Sequence, residues 1–488
     1  MQRRLLLKLW RTTLPRDLSR RFFSGLPSVE HVNIPAASTG NVVVSLHNIS
    51  GYGPNSPLVI WIPPFSYYDG YDPTALGLPR WLERYPTAVL NYRWPGLYSD
   101  PPSPTLGQGQ AGDGQTEPPS TPVHWPNPLH DLLFGYSWIV KTLSPPDFGR
   151  RDIYVYGSYL GASLGASLAL TETHPHRPMG IRGFIAYNGI YNWTTFLPDH
   201  PIHKVKPKPN KGRGNLLSLG SIIDTPNFKS TDPPEDNTFN LLKQQAPALF
   251  GDSPANLFDP FASASLFFHN PGLLVPPDFT TKTTPASLLP TEWALAINTL
   301  AANSATTTHT RPPLYDDETC PAYDDDDNVS SLDGDDTAYH HSQNNKILTT
   351  HDAAISLLPK VPRRGALVFP PRASTLRIPD TLLLHHDPPR APRSGRRLAR
   401  KEKNNFRTQA EELAGLMRRS VEKLELKERG KWDADYEDPG LREEDAKRRV
   451  NVGEAVGNGE EDNREFGLGL GEAGQEVAAE WLRERMDG

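Results

Sequence analysis

The residues best placed to do chemistry lie at Gly157-Ser158-Tyr159-Leu160-Gly161, where the strand-forming run Ile153 to Tyr156 enters a glycine and small residues and leucines recur at helical spacing after Gly161. A strand that passes into a helix through so short a glycine-bounded turn lifts one side chain above its sheet, as a nucleophile elbow does for acyl transfer. The residue at the middle of this turn is Tyr159. A phenol with a pKa of about 10 is a poor acyl-transfer nucleophile at neutral pH. Ser158 flanks the turn, and Ser163 is the centre of Gly161-Ala162-Ser163-Leu164-Gly165, which matches G-x-S-x-G letter for letter. One turn into the helix, Ser163 also reads as a small packing residue. His385 and His386 precede Asp387, an arrangement that serves either as base and orienting acid or as an ordinary solvated strand end.

Metal and cofactor chemistry have little to build on. Cys320 is the single cysteine, so neither an internal disulfide nor a site of several thiolates is available. The acidic run Asp324 to Asn328 spaces carboxylates like a calcium loop but lacks the glycine at the sixth place, and it reads as a solvated run. No cofactor is implied.

The elements that must position these residues alternate between strand and helix. Asn41 to Ile49, Pro57 to Phe65 and Thr87 to Trp94 read as strands, and Pro128 to Leu143 reads as a helix with a broad apolar face. The turn at Tyr159 follows, then a strand within 181 to 193, a buried strand at Thr381 to Leu384, and a helix with Phe406, Ala410, Leu413 and Met417 on one side. A last strand is expected near Val421 to Leu426, and a terminal amphipathic helix with Ala473, Val477, Trp481 and Leu482 facing inward. Such alternation predicts an α/β fold with a mostly parallel sheet flanked by helices.

Of the 488 residues 50 are proline and 38 glycine, and mean hydropathy is −0.54, so much of the chain is predicted to be loop, irregular cap or disordered insertion. A net charge of −6 makes nucleic acid an unexpected partner. No apolar run reaches about 18 residues, so no transmembrane segment is expected. The first 23 residues hold seven arginines and lysines around one acid, Asp17, with Leu5, Leu6, Leu9 and Trp10 along one side. That is the pattern of a mitochondrial transit peptide and predicts import into the matrix, with a cytoplasmic protein carrying a basic tail as the alternative.

Several stretches together resemble an α/β hydrolase, specifically the hormone-sensitive-lipase-like (fold-3) esterases, in a degenerate fungal-type form. AVLNYRWP at 88 to 95 is similar to that family's strand ending in a Tyr-Arg pair. HWPNPLHD at 124 to 131 is similar to the proline and aspartate that open its next helix, VYGSYLGASLGASLAL to its elbow, and IPDTLLLHHD at 378 to 387 to the strand that delivers its acid. The resemblance implies an N-terminal part of the domain at 40–200, a proline-rich, partly disordered cap at 201–365, a C-terminal part at 366–430, and a charged tail at 431–488 ending in an amphipathic helix. It places Tyr159 at the nucleophile position and Asp387 at the acid. A histidine should follow the last strand, yet none occurs from 387 to 488. Pro63, Pro64 and Phe65 occupy the oxyanion-loop position, where prolines have no N–H to donate.

Two readings follow. One is a pseudoenzyme that has lost the esterase triad and serves as a binding or scaffold protein, its partner a protein or a small hydrophobic ligand. The other is an active serine-type carboxylic-ester hydrolase with a rearranged nucleophile and base, drawn from Ser158 or Ser163 with His385.

Overall fold

A computed structural model describes residues 29–36, 40–65, 77–94, 123–146, 149–203, 237–251, 253–282, 361–386, 404–455 and 469–487. The segment at 1–23 expected to be a transit peptide, Asp387, Cys320, the acidic run 316–336 and the basic run 390–403 lie outside them.

An eight-stranded sheet forms the centre. Its strands are β1 (Val29–Pro35), β2 (Asn41–His47), β3 (Leu58–Ile62), β4 (Thr87–Asn91), β5 (Arg151–Ser158), β6 (Met179–Tyr187), β9 (Asp380–His385) and β10 (Val450–Glu454), in the spatial order β1-β2-β4-β3-β5-β6-β9-β10. Between β6 and β9 in sequence, β7 (His269–Asn270) and β8 (Gly365–Ala366) make a separate small ribbon. Strands β4, β3, β5, β6, β9 and β10 run parallel, while β2 is antiparallel to β1 and β4. Every residue of β3, Leu-Val-Ile-Trp-Ile, is buried, as a central parallel strand covered on both faces requires. This is the α/β-hydrolase-like architecture expected from the sequence.

Helix α1 (Asn127–Thr142) and helix α2 (Leu160–Glu172) cover the sheet, and α2 is buried from Leu160 through Leu170. Buried Asp131 on α1 accepts from the Arg93 backbone N–H at 2.9 Å and from its guanidinium at 3.0 and 2.6 Å. The Tyr-Arg strand end and the helix-opening aspartate are thus clasped together. Helix α3 (Asn237–Phe250) and the short turns Pro254–Phe258 and Ala264–Phe267 pack over the same side through an aromatic cluster of Trp94, Trp125, Trp193 and Phe250.

Helix α4 (Phe406–Ser420) begins at a capping box. The Thr408 N–H donates to the Asn405 side chain at 2.8 Å, and the Asn405 N–H donates to the Thr408 hydroxyl at 2.9 Å. The strand expected at Val421 to Leu426 is instead a π-helical continuation of α4 that runs on through Lys427–Arg429. No glycine, proline or cap interrupts the chain after Ser420, and Glu, Lys and Leu are strong helix formers. The strand that completes the sheet, β10, follows helix α5 (Pro439–Arg449) inside the charged C-terminal stretch. In the terminal helix α6 (Glu472–Met486) the inward stripe is Gly474, Ala478, Trp481 and Leu482, while Val477 is 48 % exposed. The expected face was displaced by one residue at its N-terminal half. Among the described residues no helix is long and apolar enough to cross a membrane.

Candidate active site at the Tyr159 turn

β5 ends at Ser158 and α2 begins at Leu160, so a single residue makes the turn. Tyr159 takes φ 51° and ψ −115°, a conformation that costs a non-glycine residue about 1–3 kcal/mol. The flanking glycines permit it. A Cβ on Gly161 would collide with the carbonyl oxygens of Ile62 and Pro63, and one on Gly157 would lie 2.5 Å from the Gly161 carbonyl oxygen.

The tyrosine ring is only 4 % exposed. It stacks on Phe65 at 5.6 Å between centroids and meets Tyr187 and Phe406 edge-on at 5.8 and 5.6 Å. Phe406 in turn meets Phe239 of α3, so the aromatic packing is continuous into the cap. The Tyr159 hydroxyl accepts from the Asn188 side-chain amide at 3.2 Å. Asn188, at φ 50°, also donates its backbone N–H to the Leu384 carbonyl at 3.0 Å and accepts from the His386 N–H at 2.8 Å. One asparagine therefore joins the ends of β5, β6 and β9. Sequence reasoning passed over it, although an Asn-Gly pair directly after a strand is a signal for a left-handed residue.

The backbone around the turn is equally engaged. In acyl-transfer enzymes built on such a turn, the N–H of the residue after the nucleophile faces the oxyanion. Here the Leu160 N–H donates to the Pro64 carbonyl at 3.2 Å. The Tyr92 hydroxyl donates to the Pro63 carbonyl at 3.0 Å, and Phe65 supplies the ring stacked on Tyr159. The loop Pro63-Pro64-Phe65 thus offers carbonyl acceptors and an apolar ring toward the turn.

Both candidate serines are buried. The Ser163 hydroxyl donates to the Tyr159 carbonyl at 3.2 Å and accepts from the Ile190 N–H at 3.2 Å. Ser158 hydrogen-bonds to the Tyr156 phenol, whose pKa burial pushes well above its ordinary value, with the nearby Tyr187 adding to the rise. His385, at the end of β9, is 5 % exposed, and its carbonyl accepts from the Ala455 N–H at 2.8 Å. Above this region Gln409, buried on the apolar side of α4, accepts from the N–H groups of Tyr191 and Asn192 and donates to Thr195 and Asn404. A glutamine between Phe406 and Leu413 on an apolar stripe was its available sequence signal. Among the described residues no group of three or more His, Cys, Asp or Glu side chains could hold a metal ion.

No family model matches the chain, and no curated protein matches it. Solved structures similar to it include carboxyl esterase 2 of the mycorrhizal fungus Tuber melanosporum, at 10 % identity and a TM-score of 0.35, covering 95 % of this chain and 88 % of that one. An esterase of Pyrobaculum calidifontis matches at 13 % identity and a TM-score of 0.26, over 49 % of this chain and 61 % of its own. A thermostable carboxylesterase cloned from a metagenomic library matches at 12 % identity and a TM-score of 0.27, over 49 % and 64 %. The α/β-hydrolase-like fold of this chain rests on its own sheet order and on the strand–turn–helix at Tyr159.

Proposed function

We propose that this is an α/β-hydrolase-like protein that has lost the esterase triad and acts as a non-catalytic binding or scaffold protein. The observation that carries the reading is the filled turn. A phenol stands where the nucleophile would be, its ring is packed among Phe65, Tyr187 and Phe406, and the Leu160 N–H that would meet an oxyanion is held by Pro64. The lack of any histidine from 387 to 488 supports it, because no imidazole follows the last strand, now β10, to move a proton near neutral pH. The Arg-rich amphipathic segment at 1–23 leads us to assign the protein to the mitochondrial matrix.

Purified protein is expected to hydrolyse p-nitrophenyl acetate and butyrate no faster than a heat-inactivated control and to take up no fluorophosphonate probe. Turnover that vanishes in Ser163→Ala or Ser158→Ala would overturn the proposal.

A further inference from the structure

The small ribbon of β7 and β8 is held firmly at its base. His269 pairs with Ala366 and Asn270 with Gly365, and the pairing extends to the Leu367 N–H on the Phe268 carbonyl at 2.7 Å and the Arg364 Nε–H on the Pro271 carbonyl at 3.1 Å. The Phe369 ring lies 4.9 Å from that of Phe267 and 5.2 Å from that of Phe268, and the Ser420 hydroxyl of α4 donates to the Phe369 carbonyl. Residues 371–377 then lie against the end of α2, where the Arg377 N–H donates to the Thr173 carbonyl at 3.1 Å and Thr375 hydrogen-bonds to His174 at 3.0 Å.

Away from this base the ribbon and its extensions turn aliphatic side chains to solvent. Val361 and Val368 are each 54 % exposed, Leu367 51 % and Val275 41 %. Single exposed apolar residues are ordinary on any surface, but four on one short ribbon mark a contact surface.

The charge beside them is nearly all of one sign. Residues 361–379 contain Arg363, Arg364, Arg372 and Arg377 and no aspartate or glutamate. All four arginines are exposed, and among the described residues none of them forms an ion pair. The other arm, residues 269–282, adds Lys282 and a single carboxylate, Asp278, which already accepts from Thr280 and Thr281. Carboxylates on the elements packed nearby are engaged elsewhere. Glu172 pairs with Arg177 at 3.0 Å and Asp152 with Arg182 at 2.9 Å, while Glu412 of α4 accepts from Asn192 at 2.7 Å and faces His269 at 3.3 Å. In a chain of net charge −6, the ribbon is therefore a local cationic surface interleaved with aliphatic side chains.

We propose that this ribbon seats the protein peripherally on the surface of an anionic phospholipid bilayer. Val275, Val361, Leu367 and Val368 enter between the headgroups, and Arg363, Arg364, Arg372 and Arg377 take the lipid phosphates. Guanidinium forks match phosphate oxygens and are weakly hydrated, so they suit the headgroup layer, and each cation near an anionic leaflet strengthens binding about fivefold. Aliphatic side chains beside them gain by entering the acyl boundary. A nucleic acid would instead call for aromatic platforms on which bases stack, and the exposed apolar residues of the ribbon are all aliphatic. The surface is separate from the Tyr159 turn and stands whether or not that turn catalyses.

Co-sedimentation of the full-length protein with vesicles of equal parts phosphatidylcholine and phosphatidylglycerol tests it. Binding to these vesicles is expected, with none to phosphatidylcholine alone. Combining Arg363→Gln, Arg372→Gln and Arg377→Gln should weaken binding at least about tenfold, and combining Leu367→Ser with Val368→Ser at least about fivefold. All five positions are exposed, so both variants should fold. An environment-sensitive dye on Leu367→Cys, in a Cys320→Ser background, should shift to the blue on the vesicles, while the same dye on Val477→Cys of α6 should not. That contrast separates the ribbon from the Arg-rich segment at 1–23. Absence of binding to the anionic vesicles, undiminished binding in both variants, or a dye at 367 that stays in water would refute the site. Binding of single-stranded RNA that the arginine variant loses and the serine variant keeps, without vesicle binding, would mark a nucleic-acid surface and overturn it as well.

Discussion

Cutting Tyr159 back to alanine separates the two things this residue does, filling the space above the turn and bearing its strained backbone. The ring is 4 % exposed and touches three aromatic neighbours. Removing a buried aromatic side chain costs about 3–5 kcal/mol. The Asn188 amide also loses its acceptor at 3.2 Å, which adds about 1 kcal/mol. Tyr159→Ala is therefore expected to lose about 4–6 kcal/mol. Tyr159→Gly creates the same cavity but holds φ 51° without a Cβ, recovering about 1–3 kcal/mol of strain against a loss of about 0.5–1 kcal/mol to the greater freedom of glycine when unfolded. The glycine variant should thus be the more stable of the two by about 1 kcal/mol, the reverse of the usual order. Urea titrations followed by far-UV circular dichroism and tryptophan fluorescence read both differences. A loss below about 1.5 kcal/mol for Tyr159→Ala, or an alanine variant more stable than the glycine variant, would refute the packing and the strained turn respectively.

Other parts of the fold make separate predictions. Asp131→Asn should cost about 3 kcal/mol in urea titrations, since it leaves Arg93, whose side chain is 21 % exposed, without the carboxylate that takes three of its donors. Gln409→Leu strips the acceptor from two buried N–H groups and should cost about 2–4 kcal/mol by the same assay, while Glu411→Gln on the exposed side of α4 should change stability by less than about 0.5 kcal/mol. Burial pushes His200 down to about 4. The unfolded chain then binds the extra proton between about pH 6.5 and 4, so stability is lost as pH falls through that window, by at most about 3 kcal/mol. The difference in stability between wild type and His200→Gln, followed from pH 7 to 4, isolates this from the carboxylates, and a difference that does not change with pH would count against it.

The sheet was readable because most of its strands are short apolar runs bounded by turn residues, and a fully buried strand such as β3 must look that way. β10 was hidden for the opposite reason. It sits at the sheet edge, only Val450 within it is fully buried, and Val-Asn-Val-Gly-Glu lies among charges. The sequence around Val421 to Leu426 misled because two leucines and a valine fit either period, and continuity with α4 decided the matter. At the turn, the positions of Tyr159, Pro63 and Pro64 were legible as residue types. The Leu160 N–H closing on the Pro64 carbonyl, and Asn188 joining three strand ends, depend on backbone conformations that side-chain patterns do not encode.

If the proposed loss of the nucleophile holds, a strained turn that served chemistry alone would have no reason to persist, because glycine at 159 would relieve it at no cost to the path of the chain. Tyrosine holds the position by compensating for the strain with contacts available only from there. Its ring closes the space under Phe65 and Phe406, and its hydroxyl holds the asparagine that fixes β9 against β6. The geometry that projects a nucleophile above a sheet also projects a large side chain into whatever covers the sheet, so the same turn serves as a clasp between sheet and cap. On this account Tyr159→Ser does not recreate an esterase. It opens a cavity beneath Phe65 while leaving the Leu160 N–H on Pro64 and no histidine after the last strand, and it should be destabilised without gaining measurable ester hydrolysis.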